Sequence, residues 1–261
     1  MDLDLKGKIA LITGSTAGIG LAIAERLAAE GARTIICGRD PSRLDEAARQ
    51  VARMGDVEAV LADPATAQGA AALIAAVPRV DILVNNLGIY EAKPFAEISD
   101  EDWLHMFDVN VLSGARLARH YFPAMLAQSS GRVIFVASES ALLIPPEMVH
   151  YGMSKSAQLG LARGMAELTR GTGVTVNSIM PGPTRSAGIR DFIASVVTDE
   201  GLTGAEREVQ FFERFRPLSL IRRLIEPAEI AAQVALLVSP LGGITNGAAI
   251  RVEGGMVPTI A

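Results

Sequence analysis

Short runs of Ile, Val, Leu and Thr alternate along most of this 261-residue chain with longer segments of Ala, Leu, Glu and Arg at helical spacing. That alternation is its strongest constraint on folding. Strands are expected at residues 8–13, 34–37, 57–62, 82–84, 132–137, 175–179 and 249–252. Helices are expected at 19–30, 44–54, 69–77, 100–113, 115–128 and 151–170. A strand joined to the next through a helix can pair with it only in parallel, by a right-handed crossover. The first, fourth and fifth runs hardly alternate between apolar and polar residues, as expected of strands buried on both faces. The expected fold class is therefore α/β, a doubly wound, seven-stranded parallel sheet with helices on both faces. Its ligand crevice would lie beyond the carboxyl ends of the strands, so the residues just after each strand are the informative ones.

Two such places stand out. The first strand runs into Thr13-Gly14-Ser15-Thr16-Ala17-Gly18-Ile19-Gly20, where a helix begins. Glycines there let the backbone turn sharply and approach a pyrophosphate, and the helix end offers free amides and positive dipole. The spacing is GxxxGxG, not GxGxxG, and lacks the GK[ST] of a nucleotide triphosphatase. The fifth strand leads into Ser138, followed by Tyr151 and, four residues later, Lys155. On one helix that step places phenol and ammonium on the same face, where the cation is expected to lower the tyrosine pKa and suit it to proton transfer.

Composition removes other classes. Net charge is −5 without a basic run, which argues against nucleic acid as a partner. Cys37 is the one cysteine, so no disulfide within the chain and no Cys/His metal spacing is available. No apolar run reaches about 18 residues, so no transmembrane span is expected. The opening MDLDLKGKIALITGS reads as neither signal nor transit peptide, and a cytoplasmic setting is expected. Residues 1–261 are expected to form a single domain, with 184–227 as one long irregular region.

TGxxxGIG, a downstream YxxxK and a serine thirteen residues before the tyrosine together resemble the short-chain dehydrogenase/reductases, in their shorter branch. The resemblance covers the whole chain and includes Asn85-Asn86-Leu87-Gly88, Asn110 in FDVNV, and Pro181-Gly182 after the sixth strand. Leu87 departs from the usual alanine. The resemblance implies a Rossmann-type NAD(P)-binding domain. It further implies hydride transfer between a nicotinamide and a carbonyl or secondary alcohol, a 3-oxoacyl thioester or another ketone among the candidates. Tyr151 would be the proton donor, Ser138 the partner of the substrate oxygen, Lys155 the group that tunes Tyr151 and holds the ribose, and Asn110 the anchor of a proton-relay water. Gly14, Ser15, Thr16, Gly18, Ile19, Gly20, Arg39, Asp63, Asn86, Gly88, Tyr151, Lys155, Pro181, Gly182 and Thr184 would bind the cofactor. Gly38-Arg39 at the end of the second strand resembles the NADP form, an arginine suiting the 2′-phosphate, and NAD is the alternative. Asp40 competes as an NAD-type acid, or as a helix cap with Pro41 or a partner of Arg43.

Residues 184–227 would be the substrate loop and lid. Its apolar members, Ile189, Phe192, Ile193, Val196, Val197, Phe211, Phe212 and Phe215, and the stretch 141–146 would face a partly hydrophobic small molecule or else form a local core or subunit contact. His150 is expected to face solvent. Apolar residues on more than one side of the 151–170 helix point to a homo-oligomer, a dimer or a homotetramer, as in the family. A non-catalytic cofactor-binding regulator is the rival class, weakened by the intact Asn110, Ser138, Tyr151 and Lys155 set. An epimerase or dehydratase of the longer branch would need a longer chain.

Overall fold

A computed structural model describes residues 2–260. Seven strands form one parallel sheet: β1 (Ile9–Ile12), β2 (Arg33–Gly38), β3 (Val57–Leu61), β4 (Ile82–Asn85), β5 (Ser130–Val136), β6 (Gly173–Pro181) and β7 (Ala249–Val252). Their order is β3-β2-β1-β4-β5-β6-β7, the doubly wound arrangement. Every pairing is parallel, with Ile12 beside Ile36 on one flank and beside Val84 on the other.

Residues within a strand face alternately up and down, and here both directions are apolar. Ala10, Ile12, Ile36, Val84 and Ile134 pack into one core with α1 (Gly18–Ala29), α2 (Pro41–Val51) and the late helix Pro227–Val238. Leu11, Ile35, Leu83, Val133 and Phe135 pack into a second. Its helices are α3 (Ala67–Ala76), α5 (Ser113–Ala127) and α6 (Val149–Glu167), and α4 (Asp100–Phe107) precedes α5. Small residues permit the close approach: Gly55 and Gly69 each lie where a Cβ would strike main-chain oxygen, of Ala28 and Asp63 respectively.

Three expectations need correction. Residues 100–128 are not plain helix: between α4 and α5 the chain widens into a π-helical turn, Asp108–Leu112, centred on Asn110. Such turns shift the register of the main-chain hydrogen bonds, and here the carbonyl of Asn110 accepts from Gln158 Nε2 of α6 instead. Nor is 184–227 irregular. It carries α7 (Ala187–Val196), capped by Ser186, and α8 (Gly204–Arg214), opened by a Thr203/Glu206 capping box. The final helix is then α9 (Pro227–Val238). His150 is fully buried, with its ring edge against Trp103.

Gly20 faces the first bend of the chain, and a Cβ there would lie 2.3 Å from the carbonyl oxygen of Gly14. Main chain cannot swing aside as a side chain can. Gly20→Ala is expected to destabilise the protein by about 1–3 kcal/mol, read as a lowered urea midpoint at unchanged slope.

Candidate active site

Beyond the carboxyl ends of β1, β4, β5 and β6 lies a cavity of about 450 Å³. One end is formed by Gly14, Gly18 and Ile19, and the other by Ser138, Tyr151 and Lys155. Gly14 and Gly18 have φ of 60° and 56°, a region that L side chains rarely adopt. A Cβ on Gly14 would press on Asn86 and Leu87 at 3.0 Å, whereas one on Gly18 would meet only Ser186, at 3.8 Å. Gly18 is thus the glycine that leaves room on the cleft side. The amino end of α1 has Ala17 as its N-cap, no capping side chain and no acid in its first turn. An anion would find amides and dipole there without a competing carboxylate. These features fit a dinucleotide pyrophosphate.

Other expected cofactor residues divide into two groups. Asn86, Gly88, Pro181, Gly182 and Thr184 line the cleft, together with Leu87 and Arg43. Ser15 turns inward, its hydroxyl donating to Ile12 O at 2.8 Å and accepting from Cys37 N at 3.0 Å. Gly20 is covered by Gly14. Thr16 instead packs beside Gly38, where a Cβ would lie 2.6 Å from its methyl group. Arg39 extends into solvent, 81% exposed, and meets Asp63 at 3.6 Å. Asp40 is the N-cap of α2, accepting from the Arg43 amide at 3.1 Å. That is the capping role, made through the Arg43 main chain rather than its guanidinium.

Ser138 lies two residues beyond β5, and its hydroxyl accepts from the Ser140 amide at 3.1 Å. Tyr151 and Lys155 stand one turn apart on α6, with Nζ 5.8 Å from the centre of the phenol ring. Lys155 is buried and donates to Val136 O at 2.9 Å. Gly88 lies between Lys155 and Asn110: a Cβ there would be 3.3 Å from both Nζ and the Asn110 oxygen.

Lys155 was expected to lower the Tyr151 pKa, and this does not hold. Burial, followed by the Glu139 carboxylate, pushes the phenol up, against a hydrogen bond from Ser138 and the charge of Arg216. Lys155 is itself pushed down to about 8 by burial, with Glu139 opposing. The Asn110 amide donates to Ile89 O at 3.0 Å and to Ser154 Oγ at 2.9 Å, and its oxygen accepts from Ile89 N at 2.8 Å, which fastens the loop after β4.

The residue-type pattern gave no role to Glu139, Tyr90 or Arg216, and all three line the cleft. Glu139 is buried beside Ser138, and its position directly after the serine at a strand end was the available signal. Tyr90 meets Tyr151 edge-on at 6.2 Å. Arg216 lies over Phe211 at 5.4 Å and pairs with Glu147 at 3.1 Å. No pattern marked it among the neighbouring aromatics.

The family model for short chain dehydrogenase matches residues 8–195. The chain belongs to the short-chain dehydrogenase family. It is 46% identical to the uncharacterized oxidoreductase YvaG of Bacillus subtilis (strain 168) over all of both chains. It is 30% identical to the 3-oxoacyl-[acyl-carrier-protein] reductase FabG of Aquifex aeolicus (strain VF5), over 98% of this chain and 100% of that one. Among solved structures, L-sorbose reductase from Gluconobacter frateurii, complexed with NADPH and L-sorbose, superposes with a TM-score of 0.92 at 32% identity over all of both chains. The protein is an oxidoreductase of this family. No helix among the described residues is long and apolar enough to cross a membrane.

The short-chain dehydrogenase cleft carries a cost at Lys155. Its folded pKa lies below the unfolded value of 10.5, so the unfolded chain binds more protons between about pH 8 and 10.5. Stability from this group therefore rises with pH across that window and is least below it. Lys155→Met is expected to raise stability by about 1–3 kcal/mol near pH 7. The gain should shrink toward pH 10, checked by urea unfolding at both pH values.

Proposed function

We propose that this protein is an NADP-dependent carbonyl reductase, or secondary alcohol dehydrogenase in reverse. The observation that carries the reading is the convergence of Ser138, Tyr151 and Lys155 at one end of a cleft whose other end is the glycine loop. The dinucleotide would rest on Gly14, Gly18 and Ile19, between Asn86-Gly88 and Pro181-Thr184, and its nicotinamide supplies the hydride. Arg39 and Arg43 would take the 2′-phosphate, since planar guanidinium suits a dianion. The L-sorbose reductase complex, with NADPH bound, supports this cofactor.

Tyr151 protonates the carbonyl oxygen. A phenol held above its ordinary pKa keeps its proton at neutral pH, as a donor must. Lys155, near 8, can both hold and release a proton in the working range and so replenish Tyr151. Ser138 donates to the same oxygen as negative charge gathers on it. Asn110 acts at one remove, holding Gly88-Ile89 in place. The 184–227 segment covers the substrate with Ile189, Phe192 and Phe211, while Arg216 adds charge to the pocket wall. A small ketone with both apolar and polar groups suits that lining. The names of the relatives span a sugar reductase and an acyl-carrier reductase.

Tyr151→Phe is expected to lower kcat by about 10²-fold or more while cofactor affinity, followed by nicotinamide fluorescence, changes little. Retained turnover of a ketone panel would refute the role of Tyr151. Arg39→Ala is expected to weaken NADPH binding about tenfold or more and leave NADH nearly unchanged. Equal losses in the two titrations would place 2′-phosphate recognition elsewhere.

A further inference from the structure

The reading above requires Ser138 to donate a hydrogen bond to the substrate oxygen. A serine hydroxyl has one proton to give and two lone pairs to offer. One lone pair of Ser138 accepts from the Ser140 amide at 3.1 Å. Glu139 Oε2 stands 2.6 Å from the same oxygen. An ionised carboxylate can only accept. With Glu139 ionised, the serine proton is therefore committed to the carboxylate, and none is left for a substrate. With Glu139 protonated, the carboxyl O–H donates to Ser138 Oγ. Both serine lone pairs then accept, and its own proton is free to point into the cleft.

We infer that Glu139 is a positioning residue acting through Ser138: protonated, it turns the serine hydroxyl toward the substrate oxygen, and ionised, it turns the hydroxyl away. The inference rests on the reductase reading. Glu139 sits in the short turn Glu139–Ala141 directly after β5 and is 6% exposed. Its second oxygen accepts from Ser140 Oγ at 3.3 Å. The groups facing it are Tyr151 and Lys155 from α6, Tyr90 from the loop after β4, and Arg216 after α8, itself paired with Glu147. Arg216 favours the carboxylate, yet burial is the larger influence and the acid is held above its ordinary pKa. Loss of that proton as pH rises would thus silence Ser138.

The test is Glu139→Gln, whose amide can donate to Ser138 Oγ at every pH, beside Glu139→Ala, which cannot. In ketone reduction, wild-type kcat/KM should fall by about tenfold per pH unit once Glu139 ionises. E139Q should stay within about threefold of wild type on the acid side and lack this fall. E139A should be slower throughout. A pH profile in E139Q that superposes on the wild type would overturn the inference, as would a folded E139Q inactive at every pH. Infrared titration provides a readout free of turnover. The carbonyl stretch of a protonated carboxylic acid should be present in wild type on the acid side of the activity fall, absent from E139Q, and lost at the pH where activity falls. If wild type reduces no ketone, the reductase reading fails, and the infrared band still decides the state of Glu139; its absence overturns the inference.

Discussion

One threonine oxygen holds the open end of the sheet together. Thr13 Oγ1 accepts from the amides of Asn86 and Leu87, both at 3.0 Å. Asn86 returns the contact, donating to the carbonyls of Thr13 and Gly14 at 2.9 and 3.0 Å. These bonds matter because β1 and β4 are neighbours whose continuations lead to different helices. Where the ladder ends, the main-chain groups need other partners or remain unsatisfied. The clamp provides them and fixes the gap between the two loops, which is the gap a ligand must enter. The glycine spacing then follows from geometry. Gly14 must turn into the left-handed region beside Asn86, and Gly20 must let α1 rest on the Gly14 carbonyl.

At the far end of the cleft, the constraint is electrostatic. Three titratable groups share a small, buried volume: Glu139, Tyr151 and Lys155. Burial disfavours the charged form of each, raising the acids and lowering the base. Their mutual contacts modify this unequally, since Glu139 supports the Lys155 cation while opposing a Tyr151 anion. The most natural neutral-pH state of the group is therefore a protonated phenol beside a lysine that readily changes charge. Such a site sacrifices stability, and the surrounding main chain limits the loss by accepting from Lys155 through Val136 and by fastening Asn110 on both sides of Ile89.

Much of this was legible in the sequence for a physical reason. Strand-helix alternation, buried on both faces, leaves a chain few topologies, so the sheet and its crevice followed. The glycines, Ser138, Tyr151 and Lys155 were legible because each sits at a strand end or on one helix face, where spacing determines location. Boundaries moved by a few residues, as caps and last turns commonly do. What was not legible depends on contacts remote in sequence. Nothing near Asn110 announces that its carbonyl turns to Gln158, or that its amide is taken by Ile89. His150 beside Tyr151 looked like a surface residue until α4 brought Trp103 over it. The α7 and α8 caps, Ser186 and the Thr203/Glu206 box, were present in the sequence.

That segment also resolves a choice the sequence left open, whether its aromatics wall a pocket or form a small core. They do both, and the two roles depend on each other. Phe192, Ile193, Val197, Phe211, Phe212 and Leu224 pack with Met148 into a cluster separate from the two that cover the sheet. From it, edge-on ring contacts run from Phe211 to Phe192 at 6.2 Å, to Tyr90 at 6.0 Å, and on to Tyr151 at 6.2 Å. Gly188 makes the middle of this chain possible, because a Cβ there would lie 2.5 Å from the Tyr90 hydroxyl. A ligand that displaced Phe192 would therefore press on the ring next to Tyr151. A separate core lets the covering helices vary in sequence without disturbing the sheet, whereas the ring chain ties their position to the phenol. In the proposed reading, shape selection and proton donation would thus be mechanically joined through side chains with few rotamers and little room to give.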